Sequence, residues 1–504
     1  MKLGKLVESL EQAVLVNFSE RGIRGLTLDS RKVRSGYLFA VVPGPRCDGS
    51  RYVPDAVGRG AVAVLASRKV MVPPDVALVL VPDVRVALAE LSCRFYGRPA
   101  ELVQTVGITG TNGKTTVAAL VRSLLTNAGR QAALISTVVH QIGSRILPAA
   151  NTTPESPELQ GYFAEMVERH IRYAVMEVSS QGLDQHRVLG IPFAVAAMTN
   201  VTPHEHLDYH GTFEAYRRAK ARLFESLGED ATAVLNADDP SRRYFADRCQ
   251  ARKMTYGLDS RADVRASVEA ADPGGTTFTL YTPAGRAQVR SRLIGLYNVQ
   301  NALAGVCCGL ALGLDLATIV SGIERFEGAP GRLERVDIGQ GFTVLVDYAH
   351  NHEGLRAVLG ALRLVLGKGA RLIVVFGAGG DRDPTKRPLM GEVASALADI
   401  VVLTADNSRS EDTREIIKAI RSGVVPERVC IEEPDRRAAI RRAITLARPG
   451  DVVLIAGKGH ERYQDIGGVK YQFDDREEAR RALLSLALSH RAAGSVALSA
   501  GGLG

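Results

Sequence analysis

The chain has 504 residues, of which 46% are apolar and 23% charged, and its formal net charge is +8. At roughly 150 residues per domain this length predicts about three domains, and the composition excludes a disordered or fibrous protein. The positive charge favours an acidic partner, but no run of five Lys and Arg residues occurs, so we do not expect nucleic-acid binding. A small polyanionic substrate would account for the same excess.

The cysteines and the N-terminal residues favour a reducing compartment inside the cell. The cysteines form no CxxC pair, which is typical of a reducing environment and argues against a disulfide framework. The first residues lack the apolar core of a signal peptide, and no stretch of about 18 apolar residues occurs. We therefore expect a cytoplasmic protein that does not insert into membranes, and we expect a monomer. The cysteines are Cys47, Cys93, Cys249, Cys307, Cys308 and Cys430.

Residues 1–102 are predicted to form a separate small α/β domain. They carry strand signals of their own, at residues 37–42 and 61–66, but no phosphate-binding loop.

From residue 103 a second pattern recurs, in which a short apolar strand ends in a polar or glycine-rich turn and a helical stretch follows. Strands that are apolar throughout and alternate with helices predict a parallel sheet covered on both faces. Right-handed crossovers then place the polar turns at one edge of the sheet, where such sheets bind ligands. The predicted strands are residues 105–109, 132–136, 173–178, 193–199 and 232–236.

The pattern restarts beyond a predicted linker at residues 328–331, with strands at 342–346, 371–376, 400–404 and 451–456. We therefore predict a three-domain α/β protein. Its small N-terminal domain is followed by a central P-loop ATPase-like domain with a parallel sheet (103–331) and a Rossmann-like C-terminal domain (332–490). Residues 491–504 are low in complexity and predicted to be disordered.

A glycine-rich loop follows the first central strand and predicts ATP binding. Glycines leave backbone N–H groups free to surround phosphate, and the following helix directs its positive end at the anion. Lys114 is placed for the β- and γ-phosphates and Thr115 for Mg²⁺. The usual pattern has four residues between its glycines, whereas Gly107 and Gly113 are separated by five. The loop residues are Gly110, Thr111, Asn112, Gly113, Lys114, Thr115 and Thr116.

Histidines and acids cluster at residues 198–211, after another predicted strand. Three histidines suggest zinc, but an HExxH spacing is absent from the sequence. Carboxylates supply a magnesium site better, here Glu177 at another strand end with one imidazole assisting.

Lys220 lies on the apolar stripe of the next predicted helix, four residues after Tyr216. Such a lysine either extends its ammonium to water or has a function. Burial would lower the pKa of its amine and leave a nucleophile that can react with carbon dioxide, giving an anion suited to a nearby magnesium ion.

Several runs together resemble the Mur ligases of peptidoglycan synthesis, most of all the branch that adds the third residue of the peptide. They lie in order between about residues 29 and 464, at residues 109–116, 151–155, 176–180, 206–211 and 377–383. The resemblance implies that ATP phosphorylates a substrate carboxylate and that an amine attacks the acyl phosphate, releasing ADP and phosphate. It further implies two Mg²⁺ ions, one on Thr115 and Glu177 and the other on His206 and the CO₂-derived carbamate of Lys220.

The resemblance also implies ligand-binding residues, with UDP-muramoyl-dipeptide as the substrate that carries the carboxylate. The nucleotide contacts implied beyond the loop are Asn298, Asn301, Arg332 and His350. The contacts implied for the UDP-substrate are Ser30, Asn151, Thr152, Thr153, Ser179, Gln185 and Arg187.

The run of Asp406, Asn407, Ser408 and Arg409 resembles the family's Asp-Asn-Pro-Arg motif, which recognises meso-diaminopimelate. An arginine fork matches the distal carboxylate of that amino acid, which lysine lacks. The resemblance implies that Arg382, Gly457 and Glu461 complete the pocket, with Glu461 accepting from the distal ammonium. We expect diaminopimelate as the added amino acid. The alternatives are lysine as the added amino acid and, more distantly, a P-loop translocase.

Overall fold

The computed structural model describes residues 1–44, 48–203, 205–259 and 261–500, and side chains up to residue 489. Two compact units divide the chain, residues 1–265 with 303–319 and residues 266–302 with 320–504.

The N-terminal part of the first unit is a sheet in the order β1-β5-β4-β3-β2, parallel except for β1. The sequence of strand β4 is apolar throughout because both faces of the strand are buried. Ala63 and Leu65 belong to the core on one face, and Val64 and Ala66 to the core on the other. The elements are β1 (Val14–Val16), β2 (Gly25–Thr27), β3 (Tyr37–Ala40), β4 (Ala61–Ala66), β5 (Ala77–Leu80), α1 (Leu3–Val7), α2 (Val53–Gly58) and α3 (Val84–Tyr96).

The remainder of the first unit contains the predicted parallel sheet. Its strands are β6 (Gln104–Thr109), β7 (Ala132–Ile135), β8 (Val139–Ile142), β9 (Arg145–Pro148), β10 (Tyr173–Glu177), β11 (Phe193–Met198), β12 (Thr232–Asn236), β13 (Arg252–Gly257) and the start of β14 (Val264–Asp272). Its helices are α4 (Lys114–Asn127), α5 (Ser156–Glu168), α6 (Ser180–Asp184), α7 (Leu207–His210), α8 (Phe213–Glu225) and α9 (Arg242–Ala246).

These strands lie in the order β13-β12-β11-β6-β10-β7-β8-β9, and every pair from β13 to β7 is parallel. The prediction of a parallel sheet is therefore confirmed, while β8 and β9 add an antiparallel extension that was not predicted. β6 lies between β10 and β11, so its carboxyl end adjoins those of both neighbours. The phosphate loop, Glu177 and the turn after Met198 consequently follow adjacent strand ends.

The chain passes between the units within α10 (Leu296–Ala311) and α11 (Leu316–Arg325). In the second unit, β14 continues beside an antiparallel hairpin of β15 (Gly275–Thr282) and β16 (Gly285–Ser291).

The C-terminal sheet of the second unit has the order β17-β18-β22-β19-β20-β21 and is parallel except for β17. All four strands predicted in this region are present, each within one residue of its predicted bounds. The strands are β17 (Glu334–Arg335), β18 (Thr343–Asp347), β19 (Leu372–Phe376), β20 (Ile400–Leu403), β21 (Val429–Glu432), β22 (Val452–Ala456), and a separate hairpin of β23 (Tyr463–Ile466) and β24 (Val469–Gln472). The helices are α12 (His352–Val365), α13 (Lys386–Leu397), α14 (Thr413–Arg421), α15 (Arg436–Leu446) and α16 (Asp475–Ala500).

The last helix, α16, extends to Ala500, and its alanines and leucines favour helix. The predicted disorder of residues 491–504 remains a prediction. Residues 501–504 lie outside the described part. The predicted domain limits at 102, 331 and 490 remain predictions. Within the described residues, every helix is too short or too polar to cross a membrane.

Candidate active site

The phosphate loop joins β6 to α4 and is closed by the turn after β11. Gly110 has φ of +149°, and a Cβ there would lie 1.8 Å from the Thr199 hydroxyl oxygen. The N–H of Thr111 donates to the Asn200 carbonyl at 2.7 Å, and the N–H of Asn112 donates to the Asn200 side-chain oxygen at 3.0 Å. Only glycine fits at position 110, because the neighbouring turn is in direct contact with the loop.

Lys114 begins α4, and Thr115 and Thr116 are buried in the first turn of that helix. Its Nζ donates to the carbonyl oxygens of Gly110 at 2.9 Å and Thr111 at 2.7 Å. An ammonium and a helix N-terminus therefore lie side by side at the loop, which gives it the electrostatics of an anion site.

Lys220 is buried against the same loop. Its side chain is 1% exposed, and its Nζ donates to the Gly110 carbonyl at 2.8 Å. Burial, and then the nearby Lys114 ammonium, hold the pKa of Lys220 well below its usual value. The alternative in which Lys220 extends to water is therefore wrong, and the buried setting favours the neutral amine over the charged form.

Tyr216 connects this amine to two histidines, and no motif in the sequence predicts a functional role for it. Its hydroxyl lies 2.9 Å from the Thr111 Oγ1, and its ring centre lies 4.6 Å from the Lys220 Nζ. The rings of His206 and His210 each lie 5.4 Å from that of Tyr216. Partial burial, and then the Lys114 ammonium and the nearby Lys220, lower the pKa of His206 to about 4. His206 is therefore neutral at physiological pH, the form in which imidazole binds metals.

Glu177 ends β10 and is completely buried. Its two carboxylate oxygens accept from the N–H of Thr137 at 2.9 Å and the hydroxyl of Thr137 at 3.1 Å. That hydroxyl also lies 3.0 Å from the Thr152 Oγ1, while the Thr153 Oγ1 donates to the Glu177 carbonyl at 3.0 Å. The carboxylate predicted to hold a metal is thus linked through Thr137 to Thr152, which is predicted to hold substrate, while Thr153 bonds the backbone of the same glutamate. Thr137 was not predicted.

These groups suit a magnesium ion better than zinc. Among the described residues, which exclude His204, no three His, Cys, Asp or Glu side chains lie close enough together to bind a metal. A metal at this site would rely on Glu177, His206, the Thr115 hydroxyl and oxygens from ligands. Mg²⁺ tolerates such a set because it keeps water and phosphate oxygens in its coordination sphere.

A cavity of about 430 Å³ in the first unit lies between the N-terminal sheet and the central sheet. Its lining includes Phe39, Tyr52, Arg85, Gln185 and Tyr209. The aromatic rings and the guanidinium make it suitable for a base or sugar joined to an anion.

Beside this cavity, two guanidiniums share one carboxylate. The Glu155 carboxylate pairs with both Arg85 and Arg187, each at 3.1 Å. Arg187 also donates to the Gln185 side-chain oxygen at 2.6 Å and to the Thr153 carbonyl at 2.7 Å. Because one carboxylate serves two guanidiniums, the group favours an anionic ligand.

The three other residues predicted to bind the UDP-substrate are Ser179, Asn151 and Ser30. The Ser179 Oγ accepts from the N–H of Gly182 at 3.0 Å and so begins α6. Asn151 is exposed in a bend, whereas Ser30 is buried beside Asp55 and does not line the cavity.

The predicted nucleotide contacts beyond the loop lie in the second unit. Asn298 and Asn301 are buried near the start of α10, with the Asn301 Nδ2 donating to the Asn298 Oδ1 at 3.0 Å. The Arg332 guanidinium lies 4.7 Å from the centre of the Tyr348 ring, and the exposed His350 hydrogen-bonds the Tyr348 carbonyl at 2.9 Å.

The predicted acceptor motif follows β20, and Gly457 and Glu461 follow β22. The structure brings the two runs into contact, since the Asn407 Nδ2 donates to the Glu461 Oε2 at 2.9 Å. Gly457 has φ of +117°, and a Cβ there would lie 2.5 Å from the Asp406 Oδ2. Burial raises the pKa of Asp406, but Lys458 and Arg436 outweigh it, so that pKa lies below its usual value.

Arg409 has an unusual backbone and an anchored side chain. Its φ is +51°, and its NH1 donates to the Gly380 carbonyl. The Ser408 Oγ lies 2.5 Å from the Thr413 Oγ1, whereas Arg382 is exposed.

Comparison with known proteins identifies the family. Residues 22–96 match the Mur ligase family catalytic domain, 108–309 the Mur ligase middle domain and 331–459 the Mur ligase glutamate ligase domain. The chain is 45% identical over 492 residues to a UDP-N-acetylmuramoyl-L-alanyl-D-glutamate–2,6-diaminopimelate ligase of Geobacillus kaustophilus, covering 96% of this chain and 99% of that protein. It is 44% identical over 470 residues to a ligase of the same name from Synechococcus elongatus, covering 92% and 94%.

A solved structure of a UDP-N-acetylmuramoyl-L-alanyl-D-glutamate–2,6-diaminopimelate ligase is similar throughout. It has a TM-score of 0.68 and 34% identity, and the match covers 92% of this chain and 95% of that one. The protein is therefore a multidomain α/β ligase by fold and sequence, and it belongs to the Mur ligase family. This confirms the predicted family and the three-domain fold class, and it excludes the P-loop translocase.

Proposed function

We propose that the protein is an ATP-dependent ligase that joins meso-2,6-diaminopimelate to UDP-N-acetylmuramoyl-L-alanyl-D-glutamate during synthesis of the peptidoglycan precursor. Relatives named for these substrates, 42–45% identical over nearly the whole chain, support the reaction. They also favour diaminopimelate over lysine. Cytoplasmic location and a monomeric state remain predictions.

The positive charge at the phosphate loop is the observation that carries the proposal. Triphosphate and substrate carboxylate are both anions, so their reaction requires positive charge at the point where they meet. Lys114 and the N-terminus of α4 supply this charge at the loop. The Lys114 Nζ lies 2.9 Å from the Gly110 carbonyl oxygen, which holds the ammonium against the loop. The γ-phosphoryl group passes to the carboxylate, and attack by the amine of the amino acid on the acyl phosphate releases phosphate and forms the amide.

Two magnesium ions fit the donor set. Thr115 and Glu177 would hold one ion, and His206 with the carbamate of Lys220 the other. Bound Mg²⁺ neutralises the triphosphate and the developing charge of phosphoryl transfer. The lowered pKa values of Lys220 and His206 support this assignment, because they favour the neutral forms, and only a neutral amine reacts with carbon dioxide and only a neutral imidazole binds a metal.

The UDP-substrate would occupy the cavity between the N-terminal and central sheets. Its aromatic lining suits uracil, and Arg187 with Arg85 suits an anionic group of the substrate. The contacts proposed for it are Ser30, Asn151, Thr152, Thr153, Ser179, Gln185 and Arg187, and those proposed for the nucleotide beyond the loop are Asn298, Asn301, Arg332 and His350.

The amino acid would bind at the ends of β20 and β22. Arg409 would bind its distal carboxylate and Glu461 its distal ammonium, with Asn407 between them. The residues proposed to complete this pocket are Arg382, Asp406, Ser408 and Gly457.

Phosphate release and product mass test the proposal together. The enzyme is incubated with ATP, Mg²⁺, the UDP-muramoyl-dipeptide and one amino acid, namely diaminopimelate, lysine or ornithine. We expect stoichiometric phosphate and amide product with diaminopimelate, and neither in the Lys114→Ala variant. Product with lysine in preference to diaminopimelate would overturn the acceptor assignment, and phosphate release without amide product would overturn the reaction.

A further inference from the structure

Lys458 is a fully buried lysine that none of the proposed roles uses. It follows β22, between Gly457 and Gly459, and its side chain is 0% exposed. A buried ammonium is costly unless acceptors surround it, so a lysine that remains inside a protein marks a polar arrangement that needs its charge.

Its ammonium faces acceptors that belong to the predicted amino-acid pocket. The Nζ donates to the Asn407 Oδ1 at 3.0 Å and to the Glu461 Oε2 at 3.1 Å. The Asp406 Oδ1 lies 4.0 Å away, and the Tyr463 ring centre 5.3 Å. Two of the three hydrogens of the ammonium are therefore donated to pocket residues, and the Asp406 carboxylate is close enough to attract its charge.

Lys458 thereby fixes how Asn407 and Glu461 are presented. The Asn407 Oδ1 accepts from Lys458 and from the N–H of Asp465 at 2.9 Å, while its Nδ2 donates to the Glu461 Oε2. The amide therefore has one orientation. With Lys458 and Asn407 both donating to the Glu461 Oε2, the Oε1 of that partly exposed side chain is left to face a ligand.

The charges around Lys458 also favour a ligand that carries an ammonium group. Asp406 and Glu461 bring two negative charges to the strand ends, and Lys458 cancels one of them. Arg436 does not cancel the other outright, because its guanidinium forms a fully buried bidentate pair with Asp475. Around Lys458 itself, the two carboxylates therefore exceed the one ammonium by a single negative charge, which a ligand ammonium at Glu461 can balance.

We propose that Lys458 is a positioning residue that sets selectivity for an amino acid with a second ammonium group, by holding Asn407 and directing the Glu461 carboxylate at that group. The proposal rests on the proposed function, because it assumes that this pocket takes the amino acid.

The test compares two acceptors in the full enzyme, diaminopimelate and 2-aminopimelate, which differ only in the distal ammonium. In Lys458→Met we expect the ratio of their kcat/KM values to fall at least roughly tenfold, as loss of a charge-assisted hydrogen bond implies. The KM values for ATP and the UDP-substrate should stay within about twofold. Lys470→Met is the matched control, since this exposed lysine also lies on the Tyr463 ring, at 4.3 Å, outside the pocket.

A second variant and the wild type distinguish failure of the Lys458 proposal from failure of the proposed function. Lys458→Gln keeps a donor without the charge and should also lose selectivity. An unchanged ratio in either folded variant overturns the proposal, as does unfolding of both variants, which would assign Lys458 to stability alone. If the wild type makes no product from diaminopimelate, the proposed function fails instead, independently of Lys458.

Discussion

Replacing Lys220 by methionine keeps most of the side-chain volume and removes the amine that donates to the Gly110 oxygen at 2.8 Å. The substitution tests whether this amine is neutral in the folded protein and whether it reacts with carbon dioxide. Both properties follow from its 1% exposure and from the neighbouring Lys114 ammonium.

The lowered pKa of Lys220 makes the free energy of unfolding depend on pH. The folded-state pKa of Lys220 lies well below the unfolded value of about 10.4. Between these two pKa values the unfolded chain holds one more proton than the folded protein. The free energy of unfolding therefore rises with pH in that window, by about 1.4 kcal/mol per pH unit from this site. Lys220→Met removes this slope. The substitution also removes one buried hydrogen bond, which costs about 1 kcal/mol at every pH.

The assay is denaturant unfolding at several pH values, in CO₂-free buffer and in bicarbonate, together with ligase activity. Bicarbonate should stabilise the wild type, because carbamate forms on the folded state only, but it should not stabilise Lys220→Met. Activity should be lost in Lys220→Met and in Lys220→Ala, and formate should partly restore the alanine variant. Lys253→Met, at an exposed position of the same unit, is the control and should resemble the wild type.

Two results would contradict this reasoning. Equal pH slopes in the wild type and Lys220→Met would mean that the amine is charged in the folded protein. Full activity of the methionine variant would eliminate the carbamate from the mechanism.

Three further substitutions test other parts of the molecule. Arg409→Ala should raise the KM for diaminopimelate roughly 10- to 100-fold and leave that for ATP nearly unchanged; equal effects would refute recognition by Arg409. Gly110→Ala should abolish ATP binding measured by calorimetry, because its Cβ would lie 1.8 Å from a hydroxyl oxygen; normal affinity would contradict the loop geometry. Asp475→Asn should cost about 3–5 kcal/mol in denaturant unfolding by leaving Arg436 buried and unpaired. The exposed Glu477→Gln should cost about 0.5 kcal/mol or less, and similar losses in both would argue against the buried pair.

The parallel strands were predictable because burial on both faces leaves an unbroken apolar run. In β22, Val452, Leu454 and Ala456 face one core while Val453 and Ile455 face the other. The β8–β9 extension and the β23–β24 hairpin were missed because their residues are largely polar or half exposed and lack that signature.

The site was predictable where a function depends on consecutive residues, as in the loop ending at Lys114. The contacts that complete it depend on residues far apart in the chain, such as Tyr216 with Thr111. Lys458 is an intermediate case. The glycines on either side of it were a local sign of a constrained turn, but only the fold shows that its ammonium reaches Asn407.

The left-handed backbone of Arg409 explains how the motif does without its usual proline. The N–H of Arg409 donates to the Asp465 carbonyl at 3.0 Å, and its carbonyl accepts from the N–H of Gly467 at 2.6 Å. These two bonds to the β23–β24 hairpin hold the backbone of Arg409 in place. The residue before it, Ser408, therefore does not need the rigidity of proline. Ser408 can therefore stand where the motif usually has proline while the backbone of Arg409 is still held in place, so a change at this position of the motif need not displace the arginine.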